Sequence, residues 1–158
     1  GTYFLPENQL DRFMLRVRVG YPDRDAERKI LRTQPARTRL ASLEPVMSAE
    51  DLVACQQRVD TVRVAPAIAE YVLDIAAATR RSEELTVGLS PRGAIALLQA
   101  ARAAALLDGR DYCVPDDAKT LAPAVCAHRL QTKAFVHDGS GGAEEIFHQI
   151  LETVPAPQ

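Results

Sequence analysis

The chain has 158 residues, of which 47% are apolar and 25% are charged, and its formal net charge is −2. This length and balance predict a folded domain with a real core, and the slightly acidic charge argues against a dedicated nucleic-acid-binding protein. Aromatic residues are few, tryptophan is absent and alanine is plentiful, which favours close-packed helices over a β-sandwich.

The cysteines and histidines show no pattern typical of disulfides or metal sites. The cysteine number is odd and no pair has CxxC spacing, so we expect reduced thiols in a cytoplasmic protein. The histidines lack the i, i+4 spacing of a helical metal site, and we predict no bound metal. We find no signal peptide, and the longest apolar stretch, residues 94–107, contains a glutamine and an arginine, which predicts a buried helix and no membrane span. The cysteines are Cys55, Cys113 and Cys126, and the histidines are His128, His137 and His148.

The first 20 residues combine the patterns of a short helix and a strand. Pro6 and Glu7 suit the first turn of a helix over residues 6–13. In "MLRVRVG", residues 14–20, apolar residues alternate with arginines, which predicts a half-exposed strand. A lone strand needs a partner, so we expect this strand to be irregular, exchanged with another copy, or paired with a second predicted strand at residues 131–137.

From residue 21 to about residue 130 the pattern is helical. Ser48 and Asp51 resemble a capping box at one helix start, and Asp108–Gly109 suits the end of the longest helix. Beyond this region, "DGSGG" is a flexible turn that lacks the residues of a phosphate-binding loop, and "AEEIFHQILETV" is a final amphipathic helix. Caps and apolar stripes predict an antiparallel bundle of helices over about residues 23–32, 49–58, 66–81, 90–107 and 115–128.

An arginine at the start of the longest predicted helix needs an explanation. Ser90 is a good N-cap and Pro91 suits the first helical position, but Arg92 then places a cation at the positive end of the helix dipole. That placement costs roughly 0.3–1 kcal/mol. The arginine fits if an anion lies beside the helix end, where backbone N–H groups and the guanidinium converge on it. The alternative interpretation is that Arg92 is an ordinary surface residue. The same two interpretations apply to Arg12, near the end of the first predicted helix.

Three arginines in "RTQPARTRL" form a predicted basic loop. A solvated loop is one interpretation, and a contact site for an acidic partner or a phosphate backbone is the other. They are Arg32, Arg37 and Arg39.

Two separate segments resemble the MoxR family of AAA+ ATPases. "GTYFLPENQLDRFMLRVRVGYPDRDAE" is similar to the segment around the family's arginine finger, where a Leu-Pro-Glu-x-x-Leu-Asp-Arg-Phe stretch precedes a strand and a Gly-Tyr-Pro turn. "ATRRSEELTVGLSPRGAIALLQAARAAALLDGRDYCVPDDAKTLAPAVCAHRL" is similar to the sensor 2 region and the end of the lid. The resemblance runs from the first residue to about residue 130, with a family-like tail in the last predicted helix.

The resemblance implies a mainly α fold, the AAA+ C-terminal lid, built as an antiparallel helical bundle with a short β-strand remnant of the ATPase core at the N-terminus. Residues 1–20 would be the last segment of the core, and residues 21–130 the helical lid. Residues 131–158 would add a C-terminal strand, a Gly-rich turn and a helix. The chain also begins without a methionine, so we expect a piece of a longer protein.

The resemblance also implies roles for named residues. Arg12 would be the arginine finger, which reaches the γ-phosphate bound by a neighbouring subunit and stabilises charge in phosphoryl transfer. Arg92 would be the sensor 2 arginine, and with Pro91 it would contact ATP bound in its own subunit. The full-length protein would use ATP and Mg²⁺ in a homo-oligomeric, hexameric ring. It would remodel a client protein, or insert a metal or cofactor into it, and that client would carry a von Willebrand factor A-type domain.

The chain departs from the family pattern in several places. The family more often has Pro at Phe4, Ala at Leu89 and Thr at Val114; Val114 removes an N-cap, so we expect a frayed helix start there. Walker A, Walker B and sensor 1 motifs are absent from this sequence, so the chain alone is not expected to hold ATP tightly or hydrolyse it. Two other interpretations remain open. One is a protein-interaction (adaptor) module that uses the basic loop and the last helix, and the other is a helical nucleic-acid module, which the charge disfavours.

Overall fold

The computed structural model describes residues 7–34, 42–133 and 141–157. Most of these residues are helical, which confirms the mainly α fold class. One turn of 3-10 helix, Ala127–Arg129, follows the helix that ends at Cys126, and the two strands are short. The elements in chain order are α1 Glu7–Leu10, α2 Arg24–Thr33, α3 Ala49–Thr61, α4 Pro66–Arg81, β1 Leu85–Val87, α5 Pro91–Leu107, α6 Pro115–Cys126, β2 Gln131–Thr132 and α7 Gly141–Thr153.

The chain forms two compact units, and residues 17–56 make the smaller one. The carboxylate of Asp23 caps α2 by accepting the N–H of Ala26 at 2.8 Å. At α3, the Asp51 N–H donates to Ser48 Oγ at 3.0 Å and the Asp51 carboxylate accepts the Ser48 N–H at 3.0 Å. The predicted capping box is therefore confirmed. Arg32 lies in the last turn of α2, and the rest of the predicted basic loop, Arg37 and Arg39, lies outside the described residues.

The larger unit, formed by the chain up to residue 16 and from residue 57 onward, contains the hydrophobic core. Helices α5 and α6 form the most extensive helix pair, and the short connection between them returns the chain, as in an antiparallel bundle. Small alanine side chains on both helices are fully buried, which allows the close packing predicted from composition. The largest fully buried apolar side chains are Tyr71, Ile75, Leu89, Leu97, Val125 and Phe147.

The two strands pair antiparallel across the end of this core. Leu85 lies opposite Thr132 and Val87 opposite Gln131, with an irregularity between the two pairs. Of the strand predicted over residues 131–137, the structure has Gln131–Thr132, and residues 134–137 lie outside the described part of the chain. Strand β1 was not predicted from the sequence, since three residues are too few to show a period.

The strand predicted over residues 14–20 is not formed. Residues 15–23 adopt neither helix nor strand. The Arg16 N–H donates to the carbonyl of Ala124 in α6 at 2.8 Å, and the Arg16 side chain pairs with Glu144 at 3.3 Å. Within the described ranges no strand lies alongside this segment, and a strand without a partner leaves its backbone groups unpaired. The irregular outcome, one of the three expected, is the one observed. The helix predicted over residues 6–13 is likewise shorter, at Glu7–Leu10.

The start of α6 is held in a way that the sequence did not predict. Val114 supplies no side-chain cap, as expected, but the carboxylate of Asp117 accepts the Val114 N–H at 2.8 Å. The same carboxylate receives two hydrogen bonds from the Arg110 guanidinium, at 2.8 and 2.6 Å. The first turn of α6 is formed from Pro115, so the expected fraying is not seen; Asp117 makes the half of a capping box that binds the N–H of the N-cap residue.

Candidate functional site

Helix α5 begins with the hydrogen bonds of an N-capped helix. Ser90 Oγ accepts the N–H of Gly93 at 3.1 Å, and Pro91 occupies the first helical position. Arg92 follows in the first turn, with an exposed side chain. The helix start predicted at this motif is confirmed.

The turn before Ser90 is fixed to the C-terminal end of α4. The Leu89 N–H donates to Thr79 Oγ1 at 2.9 Å, and Arg80 Nε donates to the Leu89 carbonyl at 2.8 Å. The Thr79 hydroxyl in turn donates to the Ala76 carbonyl. Gly88 makes this approach possible, since a Cβ there would lie 2.7 Å from the backbone N and Cα of Arg80. Arg92 therefore extends from a rigidly placed helix end.

Arg12 lies in a turn that continues α1. Its N–H donates to the Gln9 carbonyl at 3.0 Å, and the Phe13 N–H donates to the Leu10 carbonyl at 3.1 Å. The Arg12 side chain is exposed. Among the described residues, no hydrogen bond or ion pair occupies the guanidinium of Arg12 or of Arg92, so both groups are available to an anion from outside this chain.

Arg129, in the 3-10 turn after α6, binds the segment that carries Arg12. Its side chain is 2% exposed. Nε donates to the Val125 carbonyl, Nη1 to the carbonyl and carboxylate of Asp11, and Nη2 to the carbonyls of Phe13 and Met14. All five N–H donors of the guanidinium are therefore used. We call Arg129 with these oxygens of residues 11–14 the Arg129 clamp.

Asp11 connects the two ends of the candidate site. Its Oδ1 accepts from Arg129 Nη1 at 2.9 Å and from Ser90 Oγ at 3.0 Å. Asp11 directly precedes Arg12, and Ser90 lies two residues before Arg92. The structure thus joins the two predicted arginines through their neighbours. It also places a carboxylate of the chain itself beside the start of α5, where the helix dipole favours negative charge.

His128 adds a second contact to the same segment. Its Nε2 lies 3.0 Å from the Phe13 carbonyl, which assigns the ring proton to that nitrogen. Burial lowers the pKa of His128, and the positive charges of Arg129 and Arg16 act in the same direction, against the stabilising Phe13 carbonyl. The neutral ring is therefore the favoured form in the folded chain.

Sequence reasoning singled out Arg12, Pro91 and Arg92 as candidates, and it did not single out Asp11, His128 or Arg129. A signal was present in "APAVCAHRL", where two polar residues follow a buried apolar run. Periodicity cannot tell a buried, fully bonded arginine from a surface one, so that signal was not decisive. Within the described residues, no group of three or more His, Cys, Asp or Glu could hold a metal ion.

The comparisons with known proteins identify relatives of this chain. The AAA lid domain family matches residues 77–150, which include the Ser90–Arg92 motif and the Arg129 clamp residue. The chain is 41% identical over 157 residues to the Bacillus subtilis protein called "Uncharacterized protein YeaC", covering 99% of this chain and 49% of that protein. It is 34% identical over 167 residues to chaperone MoxR1 of Mycobacterium tuberculosis, covering 100% of this chain and 44% of that protein.

A solved structure has the same fold. The crystal structure of a presumed ATPase from Cytophaga hutchinsonii superposes with a TM-score of 0.86 at 26% identity, covering 100% of this chain and 51% of that one. The chain therefore spans about half the length of the relatives that it matches.

Proposed function

The chain carries the lid domain of a MoxR-type AAA+ ATPase, and we propose that in the full-length protein it couples ATP binding and hydrolysis to the remodelling of partner proteins. The observation that carries the proposal is the exposed Arg92 guanidinium at a rigid, N-capped helix start inside the matched lid domain. A phosphate bound at this helix end would be met by backbone N–H groups and by the Arg92 guanidinium.

We assign the sensor 2 role to Arg92, with Pro91 fixing the helix end beside the nucleotide. Arg92 would contact the γ-phosphate in its own subunit, so that the lid position differs between ATP and ADP. Its planar guanidinium suits phosphate oxygens better than a lysine ammonium would. The lack of a bonding partner for this group among the described residues supports the assignment.

We assign the arginine-finger role to Arg12. It would reach across a subunit boundary and stabilise charge that develops on the neighbour's γ-phosphate, an effect worth on the order of 10³–10⁵ in rate in nucleotide hydrolases. Its exposed side chain, on a backbone held by the Arg129 clamp, supports this role. A mobile guanidinium would contribute less, because orientation is a large part of such catalysis.

The same proposal extends to the whole protein. Residues 1–20 would end the ATPase core, residues 21–130 would form the lid, and residues 131–158 would follow it. The protein would form a homo-oligomeric, hexameric ring in the cytoplasm and act on a client with a von Willebrand factor A-type domain. We assign ATP's Mg²⁺ to the Walker motifs of the full-length protein, while the residues of this chain contribute cations toward the phosphate oxygens.

The test uses rings of the full-length protein assembled from two kinds of subunit. Donor subunits keep Arg12 but have the Walker B acid replaced, so that they bind ATP without hydrolysing it. Acceptor subunits have intact Walker motifs and Arg12→Ala. We expect each ring alone to lose hydrolysis by roughly 10³-fold or more, and the mixed ring to regain it, because a donor Arg12 faces an acceptor site.

Acceptors with Arg92→Ala provide the contrast. Mixing with donors should not restore their hydrolysis, because the missing contact lies in the same subunit as the nucleotide. Arg58→Ala, on the exposed side of α3, is the matched control and should hydrolyse ATP normally. Rescue of Arg92→Ala but not of Arg12→Ala would reverse the two roles. Normal hydrolysis in both variants would mean that both arginines are surface residues, and would favour the adaptor interpretation.

A further inference from the structure

The segment that carries Arg12 is attached to the lid by polar contacts more than by apolar packing. The side chains of Phe13 and Met14 are each 53% exposed, so about half of each stays in water. The attachment instead comes from the Arg129 clamp, from His128 on the Phe13 carbonyl, and from the shared Asp11 carboxylate.

The Asp11 carboxylate is the point at which this attachment meets the start of α5. One oxygen, Oδ1, accepts both the Ser90 hydroxyl and the Arg129 guanidinium. Because Ser90 Oγ also accepts the Gly93 N–H, the bonds form a continuous path from the first turn of α5 to the residue before Arg12. Charge-assisted bonds of this kind are stronger and more directional than neutral ones.

From this geometry we infer that Asp11 is a positioning residue, which ties the Arg12 segment to the N-terminus of the Arg92 helix. The position of a subunit's own lid then sets the position of the arginine that the same subunit offers to its neighbour. A lid that responds through Arg92 to ATP bound in its own subunit would thereby control ATP hydrolysis in the neighbouring subunit. This inference rests on the roles proposed above for Arg12 and Arg92.

Removal of the Asp11 carboxylate should loosen the Arg12 segment without releasing it. Loss of the Asp11 carboxylate breaks the bond to Ser90 and one of the bonds to Arg129, but it leaves the Arg129 bonds to the carbonyls of Asp11, Phe13 and Met14. The segment should remain attached but be less well placed. A misplacement of about 1 Å costs up to about 10²-fold in rate, and the cost should fall on the neighbour's site.

The experiment places Asp11→Ala separately in donors and in acceptors of the mixed ring. In donors that supply Arg12 to Arg12→Ala acceptors, we expect the rate of ATP hydrolysis to fall roughly 10- to 100-fold, with an unchanged KM for ATP. In acceptors that already carry Arg12→Ala, the added Asp11→Ala should leave the rate at its reference value. If Asp11→Ala only weakened the lid, the rate would fall when the substitution is in the acceptors, which hydrolyse ATP, and not when it is in the donors.

Matched variants keep the result interpretable. Asp11→Asn retains an acceptor oxygen and should recover part of the lost rate; it also carries the test if Asp11→Ala does not assemble into rings. Asp25→Ala removes an exposed carboxylate that pairs with Arg28 on α2, and in donors it should leave the rate unchanged.

Two outcomes would overturn the inference: a normal rate with Asp11→Ala donors, or a loss confined to the acceptor side. Full activity with donors that lack Arg12 is a different result. It would overturn the proposed arginine-finger role itself, so the two failures are distinguishable.

Discussion

Arginine side chains serve two opposite purposes in this chain. Arg129 is buried, and each of its five donors reaches an oxygen, which offsets the cost of removing a charge from water. Arg12 and Arg92 are exposed, and in the roles proposed for them their charge acts on another molecule. At this scale, burial and bonding separate a structural guanidinium from one that can act on a ligand.

The neutral state of His128 predicts a dependence of stability on pH. Its pKa in the folded chain lies below the ordinary value, so the unfolded chain binds more protons between the two pKa values. The contribution of neutral His128 to the free energy of unfolding is complete above the unfolded pKa of about 6.5. It is lost as the pH falls from there through the folded pKa. We expect the free energy of unfolding to decrease from about pH 7 to about pH 5, measured by urea denaturation followed by circular dichroism.

Substitution identifies the group responsible for that slope. His128→Gln keeps a donor for the Phe13 carbonyl but does not titrate, so the decrease between these pH values should flatten. His148→Gln, on an exposed side chain, is the matched control and should keep the slope of the original chain. An unchanged slope in His128→Gln would assign the pH dependence to other groups.

At the scale of the elements, one ion pair organises the connection between α5 and α6. Arg110 binds Asp117 through two hydrogen bonds and also reaches Asp108 and the Tyr112 carbonyl. The Arg110 guanidinium is the main cause that lowers the pKa of Asp117. This network closes the connection just after Gly109, whose φ of +76° ends α5 in the left-handed region.

We predict that Asp117→Ala destabilises the folded chain by roughly 1–2 kcal/mol, because it removes the Arg110 bonds and the acceptor of the Val114 N–H. This loss of stability is smaller than for a fully buried ion pair, because Arg110 is partly exposed to water. Urea denaturation at pH 7 measures it. Asp111→Ala removes an ion pair with Arg63 in which both side chains are more than 70% exposed, so it should leave the midpoint unchanged. Equal effects of the two substitutions would refute the structural role of Asp117.

The elements differ in how well the sequence predicts them. Helices α2 to α6 follow from caps, proline positions and apolar stripes, which act locally, so their predicted bounds fall within about three residues of those observed. The segment over residues 14–20 is irregular, one of the three expected outcomes, because pairing depends on a distant partner, which alternation alone cannot supply. The contacts of Asp11 and Arg129 join residues 118 positions apart, and no local pattern encodes them.

At the scale of the whole molecule, the smaller unit and the segment that leads into it expose much apolar surface. The side chains of Val17 and Val19 are 70% and 95% exposed, and Val46 is 98% exposed. Apolar surface of this kind is typical of chain regions that contact further protein, which supports the proposal that residues 1–20 belong to an ATPase core. Of the helices within the described ranges, none combines the length and apolarity needed to cross a bilayer.

The central claim is that Arg92 acts on the nucleotide of its own subunit and Arg12 on that of the neighbour. A structure of the full-length ring with a non-hydrolysable ATP analogue tests it most directly. We predict the Arg92 guanidinium within hydrogen-bond distance of the γ-phosphate in its own subunit, and Arg12 within the same distance of the γ-phosphate in the adjacent one. Both guanidinium groups pointing into solvent beside an occupied nucleotide site would contradict the account.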